Sequence, residues 1–217
     1  MDIREPYVVL PTVDHFSERA LHSAVFAMLG ESTEALRADR KFVMAYTHLR
    51  HVTDKAVREY LAAEESVRNF DSIGWSEWET LGHKGQHLRL ATDHLETCLD
   101  ATHRGISTAL LLRKHGFGKG GPLPDQDAFG RLKRIRNTVQ HTPDRLLEPP
   151  DLAEMQRGRL PFGSDDPYGI RLLQHELTIG SDKPLTYGEL VGLMENCYLT
   201  AQDINDRGQS DPNGHRA

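Results

Sequence analysis

The chain has few of the residues and segments that mark exported or membrane proteins. Two of its 217 residues are cysteines, and Cys98 and Cys197 both fall in helical apolar patterns, so a disulfide framework is not expected. No basic and apolar leader precedes the first predicted helix, and no apolar run is long enough to span a bilayer. We therefore expect a protein of the reducing cytoplasm without a membrane-spanning segment.

The chain also lacks the common sequence signatures of catalysis. The glycine-rich run at residues 116–124 has neither the preceding strand nor the Lys-Ser/Thr pair of a phosphate-binding loop, so we interpret it as a connection. No Ser-His-Asp or Cys-His arrangement can be assigned from the sequence. No cofactor is expected, and one polar helix is left as the main candidate for a functional site.

Acidic residues outnumber basic ones, and this balance argues against general nucleic-acid binding. With 26 Lys and Arg against 32 Asp and Glu, the formal net charge is −6. Residues 113–145 are an exception, because eight Lys or Arg and three Asp give them a charge of +5 and leave −11 for the remainder. A basic segment on an acidic chain is either a local binding site for an anion or a solvated basic face.

The periodicity of apolar residues predicts helices through the first half of the chain. After an extended segment at residues 1–13, a helix is predicted at residues 14–29 and a long helix at residues 32–68. Residues 71–85 contain two Trp and three Gly and are predicted to be a packed connection with a short helical turn at residues 76–81. A second long helix follows and ends at residues 115–116, where a basic last turn precedes a glycine.

The next helical pattern, at residues 125–148, is followed by an irregular region. Residues 148–185 contain several Pro and Gly, which exclude a long helix. Within them, residues 170–179 and 184–187 flank a turn-like sequence, so we predict a small β-hairpin.

A last helix is predicted from a capping box. Thr186 and Glu189 have the spacing of that motif, and apolar residues then recur at helical spacing up to residue 206. The polar tail, residues 207–217, is predicted to be disordered. The sequence therefore predicts one domain, an all-α up-and-down bundle of four or five helices formed by residues 14–147 and 186–206.

The helix at residues 125–148 has polar residues where packing alone does not require them. Its buried face is predicted to consist of Phe129, Leu132, Ile135 and Val139. Arg136 falls inside this apolar arc, about 40° from Leu132, while Asn137 and His141 lie on the opposite side. An arginine beside a core face needs a partner or a function. The structural alternative is that Arg136 extends to solvent and that His141 ends the helix before Pro143.

The pattern Arg-Asn-x-x-x-His formed by Arg136, Asn137 and His141 resembles the signature of the HEPN family. These all-helical modules carry an Arg, a polar residue and a His a few residues after the Arg. Arg134 also lies within the allowed spacing, but Arg136 is the one followed directly by the polar residue. Family members with a Tyr two residues after the His differ here, because Pro143 holds that position.

The resemblance, which covers residues 40–147 and the last helix, implies a metal-independent endoribonuclease of the toxin or phage-defence type. RNA supplies its own 2′-hydroxyl as nucleophile, so the protein needs a proton shuttle, for which His141 is suited, and a cation beside the phosphate, for which Arg136 is suited. Asn137 could fix the tautomer of the imidazole. The neighbouring basic residues are expected to bind RNA, and they are Arg131, Lys133, Arg134 and Arg145.

The motif also predicts an oligomeric state. An ideal helix turns Arg136 and His141 about 140° from each other, so one protomer assembles a poor site unless the helix breaks before Pro143. HEPN proteins form a composite cleft across a two-fold axis. The resemblance therefore implies a homodimer with facing motif helices, and an antitoxin partner such as a nucleotidyltransferase.

Two other functions remain open. One is a HEPN-like module that binds a nucleotide or a protein partner and cleaves nothing. The other is a metal-binding bundle, because His83, His87 and His94 share a helix face and the sequence that begins at His83 is similar to a segment of the DinB family, which binds a metal through three histidines. His48 and His51 could complete such a site. This row lies roughly 90° from the centre of the apolar face, which makes metal binding the less favoured alternative.

Overall fold

The computed structural model describes residues 7–18, 40–73, 78–146, 170–179 and 183–207. Helices predominate in these ranges, and a small three-stranded antiparallel sheet precedes the last helix. The predicted all-α class with a small β excursion is confirmed. No helix of the described residues is long and apolar enough to cross a membrane.

Two long helices, α1 (Arg40–Ser72) and α2 (Trp78–Lys114), form the centre of the fold. They run antiparallel, because the ring of Phe42 in α1 lies 5.1 Å from that of His115 just after α2, whereas Lys84 in α2 donates to the carbonyl of Ile73 just after α1. The largest side chains that these helices bury completely are Tyr46, Leu49, Tyr60, Leu95, Leu99, Ile106 and Leu112. Burial stabilises the folded state by about 1.5–3 kcal/mol for each aliphatic side chain of this size.

The end of α2 has a left-handed glycine. Gly116 has φ +96°, and its amide donates to the carbonyl of Arg113 while the amide of Phe117 donates to that of Leu112. These two bonds are those of a Schellman motif, which satisfies carbonyls that the helix itself leaves unpaired. The predicted end of the helix at residues 115–116 is confirmed.

The glycine-rich run after α2 is a connection, as predicted, and an arginine holds its shape. The guanidinium of Arg113 donates to the carbonyls of Pro122 (2.7 Å) and Lys119 (2.8 Å). On the other side of the run, the amide of Gly120 donates to the carboxylate of Asp203 at 2.9 Å. Arg113 therefore stabilises the connection from the inside of its turn.

The next helix, α3 (Gln126–Leu146), begins at an aspartate cap. Oδ1 of Asp125 accepts hydrogen bonds from the amides of Asp127 (2.9 Å) and Ala128 (3.0 Å). These bonds, that from Ala128 first, hold the pKa of the Asp125 carboxyl below its usual value. Ala128 and Leu132 are buried on the side that faces the core.

A three-stranded meander stands where a hairpin was predicted. Its strands are β1 (Ile170–Leu172), β2 (Glu176–Ile179) and β3 (Leu185–Thr186). The interpretation of residues 170–179 as one strand was wrong, because the amide of Leu173 donates to the carbonyl of Glu176 at 2.8 Å and closes a turn between two strands.

The last helix, α4 (Tyr187–Arg207), begins at the predicted capping box. The amide of Thr186 donates to Oε2 of Glu189 (3.0 Å), and the amide of Glu189 donates to Oγ1 of Thr186 (3.1 Å). Two amides that the first turn of a helix would leave unpaired are thereby satisfied. The helix packs against both α1 and α2.

The connection between the long helices is shorter than predicted. Residues 71–72 belong to α1 and residues 78–85 belong to α2. Gly85 is tolerated in the helix at an open position, where a Cβ would meet nothing within 4 Å. Lys84 is buried instead, with Nζ 2.8 Å from the carbonyl of Ile73 and 4.5 Å from the centre of the Phe70 ring. The glycines of residues 71–85 favour a connection over a helix. The contacts of Lys84 outweigh that preference and hold residues 78–85 in the helix.

Parts of several predictions lie outside the described residues. The helix predicted at residues 14–29 is described, as helical, at residues 14–18. The start of the first long helix, most of the irregular region (residues 148–169) and the tail after residue 207 are not among the described residues.

A pair of glycine substitutions tests the packing of the helices. A Cβ at Gly105 of α2 would lie 2.8 Å from Sγ of Cys197 and 3.6 Å from Cγ2 of Val52. We expect Gly105→Ala to lower the free energy of unfolding by about 1–3 kcal/mol, because an added methyl group forces a filled core apart. Urea denaturation of the variant and of the parent measures the difference.

The control for that measurement is Gly192→Ala in α4. Nothing lies within 4 Å of a Cβ at Gly192, so the higher helix propensity of alanine should raise the free energy of unfolding by up to about 1 kcal/mol. Effects of the same sign at both positions would contradict the close approach of α2 and α4 at Gly105.

Candidate functional site

Arg136 lies in the contact between α3 and α2. Its side chain is 22% exposed, and its Nε donates to Oδ1 of Asp100 in α2 at 3.1 Å. The helical position that sets Arg136 beside the core face therefore directs it against the neighbouring helix, where a carboxylate compensates for the partial loss of water. The partner that an arginine at this position needs is Asp100.

Asp100 joins several polar side chains of α2 and α3. Its Oδ2 lies 2.9 Å from Nε of Arg104, one helical turn later in α2, and its Oδ1 also accepts from Nε2 of Gln140 at 3.3 Å. One carboxylate thus faces two guanidinium groups. These side chains, two arginines, one aspartate and one glutamine, therefore carry a net positive charge.

His103 is part of the same surface. Its ring is stacked on that of Phe129 in α3, with centroids 5.5 Å apart and planes 22° from parallel. Burial lowers the pKa of His103, the positive charges of Arg136, Lys133 and Arg104 lower it further, and Asp100 opposes them. The imidazole is therefore neutral at neutral pH and can accept a proton. Since folding holds it neutral, protonation below roughly pH 6.5 works against the folded state.

Asn137 contacts the arginine that precedes it. Its Oδ1 accepts from Nη1 of Arg136 at 3.3 Å, so two atoms of the guanidinium are positioned by side chains of this surface. That Asn137 also orients the imidazole of His141 stays a prediction.

His141 lies in α3, which is continuous from Gln126 to Leu146. The helix therefore neither ends at His141 nor breaks between Arg136 and His141. A continuous helix turns the two residues about 140° apart. The described side chains of α3 end at Gln140, so that of His141 lies outside the described residues.

The residues predicted to bind RNA are in different environments. Arg131 forms an ion pair with Glu189 of α4, and its side chain is 17% exposed. This arginine joins two helices and is largely buried, so it contributes little to the exposed basic surface. Lys133 and Arg134 are exposed, and the side chain of Arg145 lies outside the described residues.

The histidine row that suggested a metal does not converge in the described part of the chain. Nδ1 of His94 lies 2.8 Å from Oε2 of Glu59 in α1, and the side chain of His83 is outside the described residues. Among the residues described, no group of three or more His, Cys, Asp or Glu is placed to hold a metal ion.

Both cysteines are core residues. Cys98 and Cys197 are free thiols at most 1% exposed, and Sγ of Cys98 lies 3.5 Å from the sulfur of Met194. Burial raises the pKa of Cys98 to about 12 and raises that of Cys197 as well. Neither thiol is a nucleophile at neutral pH in the folded protein.

Sequence reasoning missed Asp100, His103 and Arg104. A signal for them was present, because three polar residues interrupt an apolar helix at steps of one and three, next to the buried Leu99 and Ile106. What the sequence could not show is which helix faces this group, and that depends on the docking of α3.

Comparison with known proteins gives no relative for this chain. No family model, curated protein or solved structure matches it.

The neighbourhood of His103 gives a test by NMR titration of its imidazole. Arg136→Gln should raise the pKa of His103, because it removes the positive charge that lowers this pKa most. Asp100→Asn should lower the pKa of His103 further, because it removes the one opposing charge. Lys119→Gln removes one positive charge, as Arg136→Gln does, but in the exposed connection. It should leave the pKa of His103 unchanged. A His103 pKa that is indifferent to Arg136→Gln would contradict this arrangement of α2 and α3.

Proposed function

We propose that the protein is a metal-independent endoribonuclease that cleaves RNA by attack of a 2′-hydroxyl on the adjacent phosphate. The observation that carries the proposal is the placement of Arg136, held by Asp100, and of the imidazole of His103, stacked on Phe129, on one surface of α2 and α3. Burial and the charge of Arg136 lower the pKa of His103 there. Arg104 and Lys133 add two cations there, against the single carboxylate of Asp100. A polyanion such as RNA suits a surface of this charge.

The reaction needs two proton transfers and one stabilised charge. The 2′-oxygen bonds to phosphorus while the bond from phosphorus to the 5′-oxygen breaks. The proton of the 2′-hydroxyl passes to a base, and an acid gives a proton to the departing 5′-oxygen. The products are a 2′,3′-cyclic phosphate and a 5′-hydroxyl, and Arg136 neutralises the extra negative charge on the pentacoordinate phosphorus.

Two imidazoles are proposed for the two transfers. His103 is the base, because an imidazole that is neutral at neutral pH can accept a proton at once. His141 is the acid, in keeping with the resemblance of residues 136–141 to the HEPN motif. Asp100 holds Arg136 in position before RNA binds.

The resemblance also supports the wider setting of the proposal. A ribonuclease of the toxin or defence type acts on cytoplasmic RNA and is restrained by a partner, such as a nucleotidyltransferase antitoxin. We further propose a homodimer, because α3 is continuous and turns Arg136 and His141 apart. A second copy can direct its His141 toward the arginine of the first.

A second candidate is a HEPN-like module that binds a nucleotide or a protein without cleavage. It is favoured by the engagement of Arg136, whose Nε and Nη1 already have partners in Asp100 and Asn137. An arginine held in this way can bind an anion through Nη2. It is less able to adjust its position when the phosphate becomes pentacoordinate during cleavage.

The proposed activity predicts a defined product and a defined set of inactive variants. The parent should cleave single-stranded RNA in EDTA and leave 2′,3′-cyclic phosphate ends. Arg136→Ala, His103→Gln and His141→Ala should each lower kcat/KM by about 10²–10⁴-fold, the usual effect of removing a proton-transfer group or a charge stabiliser. End-group analysis of the products and single-turnover rates measure both expectations.

His51→Gln is the matched control, because His51 is an exposed histidine of α1, away from the proposed site. It should cleave at the parental rate. Ends with a 5′-phosphate, or activity that is lost in EDTA, would exclude the mechanism. A protein that binds RNA and leaves it intact would favour the second candidate.

The composite site predicts complementation between inactive protomers. Mixing Arg136→Ala with His141→Ala gives heterodimers in which one cleft contains an arginine from one chain and His141 from the other. We expect cleavage to recover in the mixture, with the parent a dimer at micromolar concentration that buries on the order of 1,200 Å² or more. Light scattering and the same cleavage assay test this, and a strictly monomeric protein that cuts RNA would contradict the composite site.

A further inference from the structure

Arg50 of α1 is a buried cation. Its side chain is 6% exposed, and the guanidinium stays charged at every relevant pH. Its Nη1 donates to the hydroxyl of Tyr46 at 3.0 Å, and its guanidinium carbon lies 5.5 Å from the centre of the Tyr46 ring. In the part of the chain that the structure describes, no carboxylate pairs with Arg50.

Two carboxylates of α1 and α4, those of Asp54 and Asp203, have other partners. Asp54, one turn later in α1, lies 2.8 Å from Nη2 of Arg58. Asp203 in α4 accepts from the amide of Gly120. A neutral hydroxyl and an aromatic face offset the loss of water around a guanidinium less well than an anion does.

Arg50 lines a cavity between α1 and α4. The cavity has a volume of about 80 Å³ and is lined by Tyr46, Arg50, Tyr198, Ala201, Gln202 and Asn205. A cavity needs roughly 10–15 Å³ of volume of this kind, open to a water-sized sphere, to hold one water, so this space is large enough for several waters or one tetrahedral oxyanion. The phenol of Tyr198 and the amide of Gln202 can donate hydrogen bonds to such an anion beside the guanidinium, whereas Nδ2 of Asn205 donates to Oδ1 of Asp206 at 3.4 Å.

We propose that this cavity binds a phosphate group, with Arg50 as the charged partner and Tyr198 and Gln202 as neutral donors. The site combines what phosphate recognition needs, a buried guanidinium with spare donors and neutral groups that do not repel the anion. It is formed by α1 and α4, whereas the proposed catalytic surface is formed by α2 and α3. It therefore does not depend on RNA cleavage.

Phosphate binding would also couple α1 to α4. The ligand would lie between Arg50 of one helix and Gln202 of the other, and a ligand that binds the folded state alone stabilises that state. Phosphate should therefore raise the melting temperature of the full chain.

The experiment compares thermal unfolding and titration calorimetry with inorganic phosphate against sodium chloride of equal ionic strength. For the parent we expect one bound phosphate per chain and a melting temperature higher by about 3 °C or more at saturation. Arg50→Gln should abolish both effects. If that variant does not fold, Gln202→Glu answers the same question, because it adds a negative charge at an exposed position of the cavity rim.

Gln86→Glu is the matched control, since it makes the same change at an exposed position of α2. It should bind phosphate as the parent does. Methyl phosphate separates the two sources of the ligand: binding as tight as that of phosphate indicates the end of a phosphomonoester, and binding of inorganic phosphate alone indicates the free ion. A parent that shows no phosphate effect beyond that of chloride, or equal losses in Gln202→Glu and Gln86→Glu, would overturn the proposal.

Discussion

The antiparallel packing of α1 against α2 is the constraint on which the rest of the structure depends. The first helix buries Tyr46, Leu49 and Tyr60, and the second buries Leu95, Leu99, Ile106 and Leu112. The helix α4 completes the same core. Gly105 lets α4 approach α2 closely, because the absence of a side chain there admits Cys197 of α4. With the core fixed in this way, α3 packs against α2, α4 and the sheet and buries Leu132 and Ile135. This packing brings Arg136 of α3 into contact with Asp100 of α2.

The fold was predictable from the sequence where one physical signal dominates. Apolar periodicity predicted the helices, the Thr186 and Glu189 pair predicted the start of α4, and Gly116 predicted the end of α2. The errors lie where local preference competes with a tertiary contact. Gly85 suggested a connection, but the buried Lys84 anchors a helix there. In the meander, one apolar run conceals two short strands, because a turn of ordinary residues carries no glycine or proline signal.

The part of the candidate site that lies in one helix was predictable from the sequence, and the part that depends on the packing of two helices was not. Arg136 could be identified from one helix alone, since a charged residue within an apolar arc violates the pattern. Asp100 and His103 could not, because their importance lies in the pairing of α2 with α3. The same limit applies to Arg131, whose pairing with Glu189 removes it from the basic surface. A charge count along the sequence therefore overstates the cations that are available to a ligand.

The two buried thiols can be used to detect local opening of the folded protein. Cys98 in α2 and Cys197 in α4 are both sealed in the core and protonated at neutral pH. An alkylating reagent can reach either sulfur after the helices separate, and a thiol reacts through its thiolate. The rate of alkylation of native protein therefore measures how often α4 leaves the α1 and α2 pair. Since no disulfide constrains these sulfurs, that separation is opposed by non-covalent contacts, which are the packing of the core, the Arg131–Glu189 ion pair and the hydrogen bond from Gly120 to Asp203.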